Sequence, residues 1–122
     1  MSRAQLVIFD FYQTLAVAYY RLPKGQTDRQ PLNVSPTYFR RKGAKELLEW
    51  LVSQDKRTAI ASMDPKDPIM ELVTKWRWKK FFKGKNVYGT ETLAEIAGKE
   101  VKNLEHIMNA NSSTPDNTLF MG

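Results

Sequence analysis

"LVIFDFYQTL", Leu6–Leu15, decides the fold. Four apolar residues, two of them β-branched, run straight into Asp10 with no helical spacing. With Gln5 they predict a strand over 5–9, buried on both faces as in a parallel sheet. The strand ends in an aspartate, and Thr14 follows four positions later. Asp10 is then either a group held at the rim of a sheet for chemistry or a residue that fastens the loop after the strand.

The segments that follow fit a sheet covered by helices. Residues 16–42 carry three prolines, a Lys-Gly pair and few aliphatics, which predicts a loop or hairpin flap. Residues 43–54, "GAKELLEWLVSQ", place Ala44, Leu47, Leu48 and Leu51 at i, i+3, i+4 and i+7, the stripe of an amphipathic helix. "RTAIAS", 57–62, predicts a second strand. Asp64 and Pro65 form an N-cap and first-turn pair, with Asp67 at the third helical position. The helix they open runs to about Trp76 and buries Ile69, Leu72, Val73 and Trp76. Residues 85–89 predict a third strand. Residues 90–110 have a helical pattern interrupted at Gly98, with Leu93 and Ile96 before it and Val101, Leu104, Ile107 and Met108 after it. A loop over 111–117 leads into a fourth strand, "TLFMG", 118–122.

Alternating strands and helices argue for an α/β fold: a three-layer, Rossmann-like parallel sheet in a single domain over 1–122, with the flap inserted at about 16–42. Right-handed crossovers bring the C-terminal ends of the strands to one edge, where open α/β sheets bind ligands. Asp10, Ser62 and Gly122 are all expected there.

Composition narrows the function classes. The 122 residues carry a formal net charge of +6, which permits acidic partners such as phosphorylated ligands or nucleic acid. With no cysteine in the sequence, disulfides, thiolate zinc sites and thiol nucleophiles are excluded, and a reducing, cytoplasmic setting is favoured. No apolar run approaches the ~20 residues of a bilayer span, and the first residues do not read as a signal peptide.

The motifs, in this order, resemble the haloacid dehalogenase-like hydrolases (the HAD superfamily). That family's first motif is an apolar strand ending in Asp-x-Asp-x-Thr, or Asp-x-Tyr-Gly-Thr in the dehalogenase branch, and "LVIFDFYQTL" is similar. "TAIAS", ending at Ser62, resembles the second motif. "GKEVKNLEHIM" offers the third-motif lysine as Lys99, or less well Lys102. "TLFMG" resembles the start of the fourth, and the sequence stops before its acid. About 50 residues separate Asp10 from Ser62, so the layout is similar to the capless magnesium-dependent phosphatases, shortened at the C-terminus.

The resemblance implies hydrolysis of a phosphomonoester, on a small molecule or a phosphoprotein, through an aspartyl-phosphate at Asp10. Thr14 and Ser62 would hold phosphate oxygens, Lys99 would balance charge, and Asp10 would be the ligand to Mg²⁺. Two departures weigh against full activity. Tyr12 stands where the phosphatases carry an aspartate acid–base, and a phenol is a poor base near neutrality. With the fourth-motif acid missing as well, Asp10 is the one carboxylate of the usual set. The expectation is therefore weak or impaired hydrolysis; the alternative is a pseudoenzyme that keeps the scaffold as a binding or assembly subunit. An uncovered sheet edge would favour a homodimer or a protein partner.

"KWRWKKFFKGK", 75–85, holds six basic and four aromatic residues in eleven. Lys75, Arg77, Lys79, Lys80, Lys83 and Lys85 form a candidate surface for an anionic partner. The pattern suits single-stranded nucleic acid, an anionic membrane surface or an acidic protein. Ahead of these stands a helix end whose rings, Phe81 and Phe82 above all, pack inward while the lysines stay wet. His106, the single histidine, reads as a surface residue sharing a helical face with Lys99, Lys102 and Asn103.

Overall fold

Strand β1 (Leu6–Phe9) has all four residues buried, which explains why its sequence is apolar without alternation. A computed structural model of the chain describes residues 4–19, 36–83 and 85–122. In it β1 pairs in parallel with β4 (Arg57–Ala61) on one side and β8 (Thr118–Met121) on the other. Next to β4 lies β5 (Val87–Tyr88), so the sheet order is β5-β4-β1-β8, parallel throughout.

Helices cover both faces. Val7, Phe9 and Ile60 point to the face packed by α1 (Ala44–Ser53) and α2 (Lys66–Lys75), through Ala44, Leu48, Leu51, Ile69 and Val73. Leu6, Ile8, Ala59 and Ala61 point to the opposite face, where Ile107 of α3 (Leu104–Ala110) is buried among them. The result is an α/β fold with the Rossmann-like layout of a parallel sheet between helices. Each fully buried Leu, Ile or Phe in these layers contributes about 1.5–3 kcal/mol relative to its exposed state. Among the described residues no helix is long and apolar enough to cross a membrane.

The flap expected over 16–42 is in part an antiparallel hairpin: β2 (Ala16–Tyr19) pairs with β3 (Thr37–Arg40). Its residues 20–35 lie outside the described residues.

The helix expected over 90–110 is corrected. Residues Ala94–Ile96 (β6) and Lys99–Val101 (β7) form an antiparallel hairpin, and helix begins only at Leu104. The turn between them is Ala97-Gly98, at φ 54° and 79°. Two successive positive φ values suit the tight turn that joins twisted antiparallel strands, and glycine takes the second without strain. Ile96, expected on a buried helical face, is 64% exposed. The cap expected at Asp64 is also displaced by one residue. Pro65 is the N-cap of α2, no side chain caps it, and Asp67 is the second helical residue. The third strand is shorter than 85–89, because Asn86 turns inward as a buried amide instead of extending it.

Candidate functional site

Parallel pairing fixes the rim. Phe9 is opposite Ile60 and Met121, so Asp10, Ser62 and Gly122 all leave the sheet at its C-terminal edge. The Asp10 N–H donates to Met121 O at 3.0 Å, which ties the loop after β1 to the end of β8.

That loop is wound around one carbonyl. Thr14, Leu15 and Ala16 N–H all donate to Phe11 O, at 3.2, 2.8 and 3.0 Å, and the Phe11 side chain is fully buried. Gln13 sits in the left-handed region (φ 69°), and its carbonyl accepts from Arg41 Nη1 at 2.8 Å. Asp10 is thus presented by a braced turn. Its Oδ1 accepts the Phe11 N–H at 2.9 Å and pairs with Lys102 Nζ at 3.2 Å. Neither contact uses Oδ2.

Of the two candidate lysines, the fold brings Lys102 and not Lys99 to Asp10. Lys99 lies on β7 with its side chain exposed, because the segment is a hairpin and not a helix. Lys102, three residues on and just ahead of α3, is brought to Asp10. The Phe120 ring centre is 5.0 Å from the same ammonium and confines it further. Asn103 caps α3 by accepting the His106 N–H at 3.1 Å, and His106 is exposed as expected.

Tyr12 is partly buried against the rings of Phe11 and Tyr38, each centred 5.0 Å away. Burial raises the pKa of its phenol above the usual value, with further upward pushes from Tyr38 and the Asp64 carboxylate. The phenol therefore keeps its proton at neutral pH. Such a phenol can donate a hydrogen bond and is a poor base.

Thr14 lines a pocket of about 370 Å³ with Gln13, Arg41, Lys42, Gly43 and Gly122. Ser62 is buried, and its Oγ accepts the Asp64 N–H at 3.0 Å, so this hydroxyl also secures the turn into α2. Reading the sequence alone missed Arg41 and Tyr38, and it took Asp64 only as a helix cap. The signal for Arg41 was present in the Arg40-Arg41-Lys42 run just before α1. Nothing local pointed to Tyr38 or Asp64, whose places depend on the hairpin and on the α2 turn.

The basic-aromatic segment divides. Trp78, Phe81 and Phe82 are buried in the core, as the inward-packing reading requires, while all six basic residues are exposed. The cations do not form one surface. Lys75 and Arg77 line a cleft with β3, whereas Lys83 and Lys85 line a separate one with Arg57.

Among the described residues Asp10 is already paired with the Lys102 ammonium, and the Asp64 carboxylate lies near Tyr12. Among the described residues no three acidic or histidine side chains gather about any point. Mg²⁺ usually keeps several waters and takes one or two carboxylates together with substrate phosphate, so Asp10 is the residue that would hold it here.

No family model matches the chain, and no curated protein does. Among solved structures, the crystal structure of an uncharacterized protein from Listeria monocytogenes serotype 4b is similar, with a TM-score of 0.68 at 22% sequence identity. The match covers 97% of this chain but 66% of that one, just under two thirds of its length. At this identity the likeness is one of fold: an α/β chain with a parallel sheet between helices.

Proposed function

We propose that this chain is a phosphohydrolase-type domain of the haloacid dehalogenase-like superfamily, capless in layout and weak in turnover. The observation that carries the reading is the Asp10–Lys102 pair at the C-terminal edge of a parallel sheet. A carboxylate nucleophile needs a fixed cation to offset the charge that gathers when a phosphate approaches it. Asp10 attacks phosphorus, the bond to the leaving oxygen breaks, and an aspartyl-phosphate forms. Lys102 balances charge on the transferring group, and the Thr14 hydroxyl offers a donor to its oxygens. Tyr12 donates a hydrogen bond to the leaving oxygen. It does not deprotonate the water that must later hydrolyse the intermediate, so this second step is slow. No step is routed through a metal.

The second reading is a scaffold that keeps the fold without the chemistry. Tyr12 favours it, because a protonated phenol stands where the related phosphatases carry a carboxylate.

The test is hydrolysis of a generic aryl phosphate, with and without magnesium, by this chain and by Asp10→Asn. The expected result is slow turnover with an initial burst of aryl alcohol, both lost in Asp10→Asn. Equal rates for the two proteins would overturn the hydrolase reading and leave the scaffold.

A further inference from the structure

Trp78, Phe81 and Phe82 are accounted for by the core, but other rings are not. Phe39 is 51% exposed on β3, and its ring packs edge-on to Tyr19, itself 60% exposed, at 5.2 Å. Beside them Trp76, at the end of α2, is half-buried and stacks on Phe11 with ring centres 6.0 Å apart. Tyr38, Phe39 and Trp76 line a cleft of about 430 Å³ together with Arg40, Lys75 and Arg77, and no carboxylate lines it.

The backbone explains why the cations face outward. After α2 the chain turns through Arg77 in the left-handed region (φ 61°), with the Arg77 N–H on Thr74 O at 3.0 Å. The next amide, Trp78 N–H, returns to Val73 O at 2.8 Å and drives the Trp78 ring into the core. Arg77 is left exposed at the cleft, opposite Arg40 of β3.

We infer that the cleft between β3 and the end of α2 binds single-stranded nucleic acid, with Phe39, Tyr19 and Trp76 as surfaces for base stacking and Arg40, Lys75 and Arg77 paired with phosphates. Interleaved rings and cations in a concave groove are what such a strand requires, because every base has a stacking face and every linkage a charge. A membrane surface would call for a protruding apolar face beneath the cations. Trp78, Phe81 and Phe82 are buried, and Phe39 and Trp76 line a concave cleft instead of a protruding face. The inference does not rest on the hydrolase reading, since its readout is binding and not turnover.

The experiment uses the full chain and a fluorescein-labelled oligothymidylate of about 16 nucleotides, followed by fluorescence anisotropy over a salt series. Three phosphate contacts predict a slope of log affinity against log salt near about −2. Phe39→Ala is expected to weaken binding about tenfold through lost stacking. Arg77→Gln is expected to reduce the slope by about 0.7, and it stands as an independent test should Phe39→Ala fail to fold. Asp10→Asn binds as the parent does. The paired change Lys83→Gln and Lys85→Gln, at the other cleft, leaves affinity within about twofold. The inference is overturned by absent binding, by binding that neither Phe39→Ala nor Arg77→Gln weakens, or by a loss that the Lys83/Lys85 changes reproduce in full. Capture by phosphatidylserine vesicles in place of the oligonucleotide overturns it in favour of a membrane surface.

Discussion

Lys102 Nζ lies 3.2 Å from Asp10 Oδ1 and 5.0 Å from the centre of the Phe120 ring. The two partners of the ion pair come from a loop after β1 and a segment ahead of α3, and the ring comes from β8. The pair is partly open to water, with side chains 19% exposed for Lys102 and 36% for Asp10. Such pairs contribute about 0–1 kcal/mol to stability. Their effect on a reaction can be larger, because a fixed cation meets charge that develops only in the transition state. Lys102→Met should therefore lower aryl phosphate hydrolysis about a hundredfold while shifting the unfolding free energy by less than about 1 kcal/mol. Lys99→Met, on the exposed face of β7, should leave the rate within about twofold. Rates and urea midpoints of the two variants check this. Equal rates would remove Lys102 from the chemistry.

Much of this arrangement was legible beforehand, and the reasons are specific. The four buried residues of β1, the Ala44–Leu48–Leu51 stripe of α1 and the alternation of strands with helices report burial directly, so the parallel sheet and its rim followed from them. The choice between Lys99 and Lys102 did not follow. It turns on whether 90–101 is helix or hairpin, and Ala, Glu, Ile and Lys are compatible with both. The Ala97-Gly98 turn decides it with two positive φ values, one of them at an alanine, which no composition rule announces. The site also depends on residues distant in sequence, Tyr38 against Tyr12 and Arg41 against Gln13, whose contacts exist only once the hairpin is folded back.

Gly89 follows β5 at the point where this edge of the sheet meets the turn into α2. A Cβ there would lie 2.5 Å from Asp64 O and 2.6 Å from Lys66 N, both backbone atoms that cannot swing away. The approach is held by the Thr90 N–H, which donates to Asp64 O at 3.1 Å. Gly89→Ala should cost about 2 kcal/mol by forcing the two segments apart. Because Asp64 is one cause of the raised Tyr12 pKa, the same variant should also lower that pKa. Thermal unfolding and a phenolate absorbance titration read the two effects. An unchanged melting temperature would mean that the close approach is not required.

Asn86 and Asn111 form a buried amide pair at another part of the molecule. Asn86 Nδ2 donates to Asn111 Oδ1 at 2.7 Å, and Asn111 Nδ2 donates back to Asn86 Oδ1 at 3.1 Å. Thr58 O and Ile107 O accept their remaining protons, and Tyr88 OH donates to Asn86 Oδ1. The network joins β4, β5 and α3. Asn111→Ala strips Asn86 of two hydrogen bonds while leaving it buried, at a cost of about 2–3 kcal/mol. Asn86→Ala should cost a similar amount, and the double variant less than the sum by at least about 1 kcal/mol. Denaturant midpoints of the four proteins close the cycle, and simple additivity would show that the two amides act separately.

Tyr12 and Tyr88 both have phenol pKa values raised above 10.0, each chiefly by burial. In the unfolded chain both titrate near about 10. The folded protein therefore holds these protons more tightly than the unfolded one does. Their contribution to stability is fully present below pH about 10 and is lost as pH rises through the folded values, because the unfolded chain ionises first. For Tyr12 the second and third causes are Tyr38 and Asp64, whereas for Tyr88 the Asn111 hydrogen bond works in the opposite, lowering direction. Urea midpoints measured from neutral pH to about pH 11 should fall steeply at the alkaline end, and less steeply in Tyr12→Phe. Asp64→Asn should move the Tyr12 titration downward and leave that of Tyr88 in place. A Tyr12 phenol that ionises at the unfolded value would remove the burial argument.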